Sequence, residues 1–155
     1  MPQSNSHLGF LLHDVARLLR KRFEQRARSL GLTRAQWQVL VHLAQNEGIH
    51  QSGLAEILET EPITLLRILD KLEARDLIER RRHATDRRIW LLYLRDTAHP
   101  LLDILREFGA TTRSEALVGI SEAEQAQLLE SLSSMKANLL KACLAPVEQK
   151  EASVG

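Results

Sequence analysis

Apolar residues repeat at helical spacing along nearly the whole chain, and the repeat changes period only once, between Leu77 and Leu94. There, Leu77-Ile78 is followed by a charged stretch from Glu79 to Arg82. Ile89 to Leu94, with Trp90 and Tyr93, then supplies strand-forming residues. Between the two lies His83-Ala84-Thr85-Asp86-Arg87-Arg88, the polar tip of a hairpin. The chain is therefore expected to be mainly α with a single small β-hairpin.

The helices flank that hairpin on both sides. Apolar positions from Leu8 to Leu30 predict one long helix closed by Gly31. Thr33 caps a second, whose inward residues are Trp37, Leu40, Val41 and Ala44, and Gly48 stops it. Gln51 to Leu58 is a short third helix burying Leu54, Ala55 and Leu58. Glu59-Thr60-Glu61 is a turn, and Pro62 opens a fourth helix reaching about Arg75. Asp96 or Thr97 is expected to cap a fifth, with Pro100 in its first turn, extending to Leu117. Ser121 and Glu124 form a capping box for a sixth, which runs through Leu128, Leu129, Leu132, Met135, Leu139 and Leu140 to Cys143 before Pro146.

Length and charge narrow the function. At 155 residues the chain has the size of one compact domain, and its 44% apolar and 26% charged residues are those of an ordinary globular protein. No apolar run reaches the roughly 18 residues of a membrane span, and Met1 to Ser6 has no secretory pattern, so a cytoplasmic location is expected. The lone Cys143 fits a reducing compartment, with packing as its expected role. The net charge of +1 hides a division: residues 67–95 carry 9 Lys/Arg against 5 Asp/Glu, whereas residues 96–155 carry 5 against 9. A basic segment inside a near-neutral chain points to a local polyanion-binding surface.

Two short helices, a tight turn and a hairpin follow the order of a winged helix-turn-helix, whose second helix enters the DNA major groove. Helix four separates its labour by face. Leu65, Leu69 and Leu72 form a core stripe, while Thr64, Arg67, Lys71 and Arg75 form a basic one. Arg67 suits a bidentate contact to a guanine edge; Lys71 and Arg75 suit phosphates; Ile63 and Thr64 suit base edges or a thymine methyl. At the hairpin tip, Arg87 and Arg88 stand where a wing meets the minor groove, with Asp86 as organiser of the tip.

Several stretches together resemble the MarR family of transcriptional regulators, in particular its SlyA-like branch. They are Asp14 to Arg20, Leu32-Thr33 through Trp37, Leu54 to Leu58, Arg67 to Glu73, Asp86-Arg87-Arg88 and Gly119-Ile120-Ser121. The resemblance implies a base-reading role for Arg67, minor-groove insertion by Arg88, a backbone contact for Arg87, and phosphate contacts from Gln51 and Ser52. It also implies a homodimer built from residues 8–30 and 96–144 around a DNA-binding lobe at 33–94, all within a single domain 1–155, while the polar composition after Pro146 predicts a mobile tail at 146–155. The apolar surface of helices one, five and six, more than a small winged domain can cover, agrees with a dimer, and its two-fold symmetry implies an inverted-repeat operator in double-stranded DNA. Glu59 departs from the glycine common among relatives in the helix-turn-helix turn, and Ile63 replaces a smaller or more polar residue.

Relatives bind small aromatic acids in a cleft between dimer helices and DNA-binding lobe, and His13, Arg17 and Trp37 are similar to residues lining it. A phenolic or aromatic carboxylic acid is the implied effector. Trp37 reads equally well as core, and Arg17 as a solvated helix charge. SlyA-like relatives carry a His where this chain has Val41, with His42 one step on. No phosphate loop, nucleophile elbow or acid/base pair supports catalysis, and the six His residues lack metal-ligand spacing, so no enzyme activity, cofactor or metal is expected. The alternative from another class is a nucleoid-associated architectural protein with a broad AT-rich preference.

Overall fold

The computed structural model describes residues 5–149. Residues 150–155, the larger part of the expected mobile tail, and residues 1–4 lie outside the described residues. A larger compact unit ends at Ala116 and a smaller one begins at Leu117.

In the larger unit, α1 spans Leu8–Ala27 and tightens into a 3-10 turn, Arg28–Leu30, one turn short of the single helix expected from its stripe. Gly31 then takes φ +66°, a left-handed conformation that glycine adopts without cost. A capping box launches α2 (Arg34–Gln45): Thr33 Oγ1 accepts the Gln36 N–H at 3.2 Å, and Gln36 Oε1 accepts the Thr33 N–H at 3.1 Å. α3 covers Gln51–Ile57 and α4 covers Pro62–Ala74. Val39, Leu40 and Leu43 of α2, Leu54 of α3 and Leu65, Leu69 and Leu72 of α4 are fully buried. Burying each such side chain contributes roughly 1.5–3 kcal/mol, enough to fix α4 by its core stripe and leave its other faces outward.

β1 (Ile78–Arg82) and β2 (Trp90–Leu94) pair antiparallel, with Ile78 opposite Leu94 and Arg82 opposite Trp90. The α2–α3 link is stitched to this hairpin. Gly48 N donates to the Leu92 carbonyl at 2.8 Å, and Leu92 N donates to the Ile49 carbonyl at 3.0 Å. Ile78 and Leu92 anchor the hairpin in the core, so its base is fixed while its tip projects.

The entry to α5 (His99–Ala116) differs from expectation. Asp96–Ala98 is a 3-10 turn of its own, and Thr97 donates its hydroxyl to the Asp76 carbonyl, so neither Asp96 nor Thr97 caps α5. The hydroxyl finds a carbonyl across the chain before it can serve a helix N-terminus. Leu102 and Leu105 bind α5 to the core.

In the smaller unit, α6 spans Glu122–Ala142 and opens with the expected capping box. Ser121 Oγ accepts the Glu124 N–H at 3.2 Å and Glu124 Oε2 accepts the Ser121 N–H at 2.8 Å. Its leucines remain exposed, Leu129 by 66% and Leu139 by 61%. Cys143, expected to pack, is exposed as well: α6 is the one helix among the described residues of its unit, and none of those residues covers its stripe. No helix among the described residues is long and apolar enough to cross a membrane.

Candidate nucleic-acid interface and the adjoining cavity

With Leu65, Leu69 and Leu72 turned inward, α4 presents Ile63, Thr64, Arg67 and Lys71 to solvent. Among the described residues the side chains of Arg67 and Lys71 have no hydrogen bond or ion pair, so both cations are free to meet an anion. Arg75 differs: Nη1 donates to the Gly31 carbonyl at 3.3 Å, which draws its head toward the α1–α2 loop. Gln51 and Ser52 open α3 beside the hairpin. Together with Pro62, Arg88 and Trp90 they line a cavity of about 230 Å³, and Gln51 Oε1 is buried without a hydrogen-bond partner among the described residues. The structure thus brings the start of α3, the start of α4 and the wing arginine to one place.

The wing tip is held by its own side chains. Asp86 accepts from the Arg88 backbone N–H at 3.0 Å and, through both carboxylate oxygens, from Arg88 Nε and Nη2 at 3.1 Å each. The Arg88 guanidinium beside it holds the Asp86 carboxyl below the usual range, and Asp86 in turn raises Arg88. His83 Nδ1 lies 3.2 Å from the backbone nitrogens of Thr85 and Asp86 and accepts from both. Arg82 donates to the Arg87 carbonyl while its guanidinium lies 4.4 Å over the Trp90 ring. Arg88 nevertheless exposes 90% of its side chain, because the clasp engages one edge of its fork and leaves the rest outward.

A second set of bonds joins wing to helix. Arg80 donates to Asp70 at 2.7 Å and to both oxygens of Glu73 at 3.2 Å. Those bonds keep Glu73 below the ordinary glutamate range and reinforce the charge of Arg80. The brace engages both acidic side chains of α4 with one strand guanidinium and leaves them partly exposed. Sequence reasoning passed over Arg80, Arg82 and His83. Counting by two from buried Ile78 would have placed Arg80 and Arg82 on one face of β1.

A separate cavity of about 380 Å³ lies among α1, α2 and α5. Phe23 and Trp37, with ring centroids 4.5 Å apart and planes tilted by 54°, form one wall; Leu102 and Leu105 form another. Trp37 is therefore both core and cavity wall. Arg17 and His13 do not line this cavity, contrary to the grouping expected with Trp37. Both stand on an exposed part of α1, where Arg17 pairs with Asp14 at 3.6 Å. The lining cations are instead Arg106 and Arg113, both on α5.

A profile of the MarR family matches residues 32–90, the span from the end of the α1–α2 loop to the start of β2. Among solved structures, the transcriptional regulator PA3341 is 36% identical, with 86% of this chain and 98% of that one covered and a TM-score of 0.76. The transcriptional regulator SlyA is 27% identical, covering 87% and 95%, with a TM-score of 0.73. A MarR family regulator from Listeria monocytogenes, solved with a 26mer DNA, shares the fold at 24% identity, 90% and 95% coverage and a TM-score of 0.73. A free basic face on α4, an arginine-tipped wing and this near end-to-end likeness agree: the chain belongs to the MarR family of transcriptional regulators.

Proposed function

We propose that the protein is a homodimeric regulator of the SlyA-like branch that binds a pseudo-palindromic operator and responds to a small aromatic carboxylic acid. The observation that carries the DNA reading is the pairing of an unengaged Arg67–Lys71 face with a pre-clasped Arg88 on the same lobe. In this reading Arg67 reads a guanine edge, Ile63 and Thr64 contact neighbouring bases, and Lys71, Arg75 and Arg87 hold phosphates. Gln51 and Ser52 meet the backbone beside the wing, and Arg88 enters the minor groove. The Listeria relative's DNA complex supports it.

Residues 33–94 form the DNA-binding lobe in this reading, with 8–30 and 96–144 as dimerisation helices. Uncovered Phe10, Leu11 and Leu18 on α1 and Leu129, Leu139 and Leu140 on α6 support the dimer. Two-fold symmetry then sets the recognition helices about one DNA turn, roughly 34 Å, apart. The aromatic-walled cavity next to α2 supports an effector.

Binding selection from a random DNA library with the purified protein tests the reading. An inverted-repeat site preferred over random DNA by roughly a thousandfold or more is expected. In Arg67→Ala, discrimination at the cognate site should fall by roughly 1–3 kcal/mol. A flat, AT-biased selection would point to an architectural protein instead.

A further inference from the structure

Backbone bonds close the wing tip: His83 N donates to the Ile89 carbonyl at 2.9 Å, and Ile89 N donates to the Asp86 carbonyl at 3.1 Å. Within the loop so formed, one side-chain atom serves as acceptor for the turn. His83 Nδ1 takes the N–H groups of Thr85 and Asp86, and the Thr85 hydroxyl lies at the same 3.2 Å. Accepting from the backbone two and three residues on is the work of an Asx turn, done elsewhere by asparagine, aspartate or serine. Here it falls to an imidazole, the side chain whose charge changes nearest neutral pH.

Two backbone donors on Nδ1 fix the tautomer, with the lone pair on Nδ1 and the ring proton on Nε2. A second proton can go only to Nδ1, where it turns the shared acceptor into a donor facing two donors. The ring must then swing away, and both N–H groups lose it. The half-buried ring has charged and titratable neighbours on two sides. On the tip, the Asp86 carboxylate attracts the added charge, but Arg88 already occupies both of its oxygens. Arg82 and Arg87 adjoin along the hairpin, bonded to each other. From the start of α3, the His50 ring stands edge-on with its centroid 6.0 Å away, on the cavity that Arg88 also lines.

We propose that His83 is a positioning residue of the wing: its neutral form holds the loop that carries Arg88, and its protonation in mild acid releases that loop and lowers the preference for operator over random DNA. This rests on the DNA reading above and adds to it a residue that itself touches no DNA. Protonation leaves the Asp86–Arg88 pair intact, so Arg88 keeps its partner and loses its fixed place. The added positive charge favours phosphates of any sequence, so affinity for random DNA holds or rises while discrimination falls.

Two measurements on the full-length protein test this. Without DNA, histidine nitrogen NMR at about pH 7.5 should show His83 protonated on Nε2 alone; on acidification to about pH 5.5, the range in which imidazoles titrate, the backbone N–H signals of Thr85 and Asp86 should move together with its protonation. Over the same range, the preference for an operator obtained by library selection should fall about tenfold, the scale of one or two lost hydrogen bonds. His83→Asn, whose Oδ1 can replace Nδ1 as acceptor without titrating, should keep the neutral-pH preference throughout. His83→Ala should show the lowered preference throughout, with melting curves verifying that both variants are folded. A ring protonated on Nδ1 at neutral pH overturns the proposal, as does a pH dependence that persists in His83→Asn, which would point to another histidine such as His50. If wild-type preference is the same at both pH values, the proposal fails while the DNA reading survives. If the selection yields no operator at any pH, the two fail together.

Discussion

At the scale of single residues, the wing depends on one carboxylate. Asp86 fixes the Arg88 backbone and side chain together, so its removal frees the guanidinium and the loop at once. In Asp86→Ala, cognate DNA binding should weaken by about tenfold, as for the loss of one charge-assisted contact, with the melting temperature unchanged. Binding to random DNA should hold or strengthen, since a negative charge has gone; equal losses on both DNAs would count against an organising role. The pH dependence has a definite sign. Asp86 has a folded pKa below its ordinary value, so the clasp is intact above the ordinary aspartate range and opens only as pH falls through the depressed value. Carbon-detected NMR of the Asp86 carboxyl should therefore show it still ionised at a pH where exposed aspartates are already half protonated.

At the scale of elements, the turn between α3 and α4 carries strain where a glycine would carry none. Glu59 sits at φ +49°, in the left-handed region. Glu59→Gly should raise stability by up to about 1 kcal/mol, strain relief being partly offset by the freer unfolded chain, as urea denaturation would report. A loss of stability would mean that the glutamate side chain contributes more than its backbone costs. The Arg80 brace predicts the opposite sign. Arg80→Met should destabilise by about 1 kcal/mol at neutral pH, since its carboxylate partners are substantially exposed and solvent screens the pair. Glu73 has a lowered folded pKa, so this stabilisation is present above about pH 4.5 and fades as pH falls through the folded value. Urea midpoints of wild type and variant should converge in acid.

These elements also show which parts of the fold could be read in advance. The leucine stripe of α4 and the strand-like run into β2 announce themselves by period, and Thr33 and Ser121 by their capping chemistry. The turn at Glu59-Thr60-Glu61 announces itself through Pro62 and the glycine that relatives carry at Glu59, but the left-handed φ of a glutamate there does not, because glutamate is not a residue that signals that conformation. The partners of Arg80 lie on another element, a relation that register sets and composition conceals. Family resemblance groups Arg17 with Trp37, whereas the cations lining the cavity beside Trp37 are Arg106 and Arg113 of α5, a placement that only the fold reveals.

At the scale of the whole molecule, the uncovered leucines of α6 and the uncovered apolar side chains of α1 depart from a self-sufficient fold. Under the proposed assembly, Leu139→Asp should yield monomer in analytical ultracentrifugation at micromolar concentration, with secondary structure retained. Operator affinity should then fall by about a hundredfold or more, because two half-sites are no longer engaged by linked lobes. A dimeric Leu139→Asp variant would move the interface elsewhere. The clasped wing has a further consequence at this scale. Its tip is ordered by Asp86, His83 and Arg82 before any partner arrives, so the conformational entropy of the loop is lost on folding and not on association. Such a loop has little capacity to remould itself to grooves of different width, and a regulator of this design would discriminate among DNA sequences partly by the shapes they adopt at the sites its wings reach.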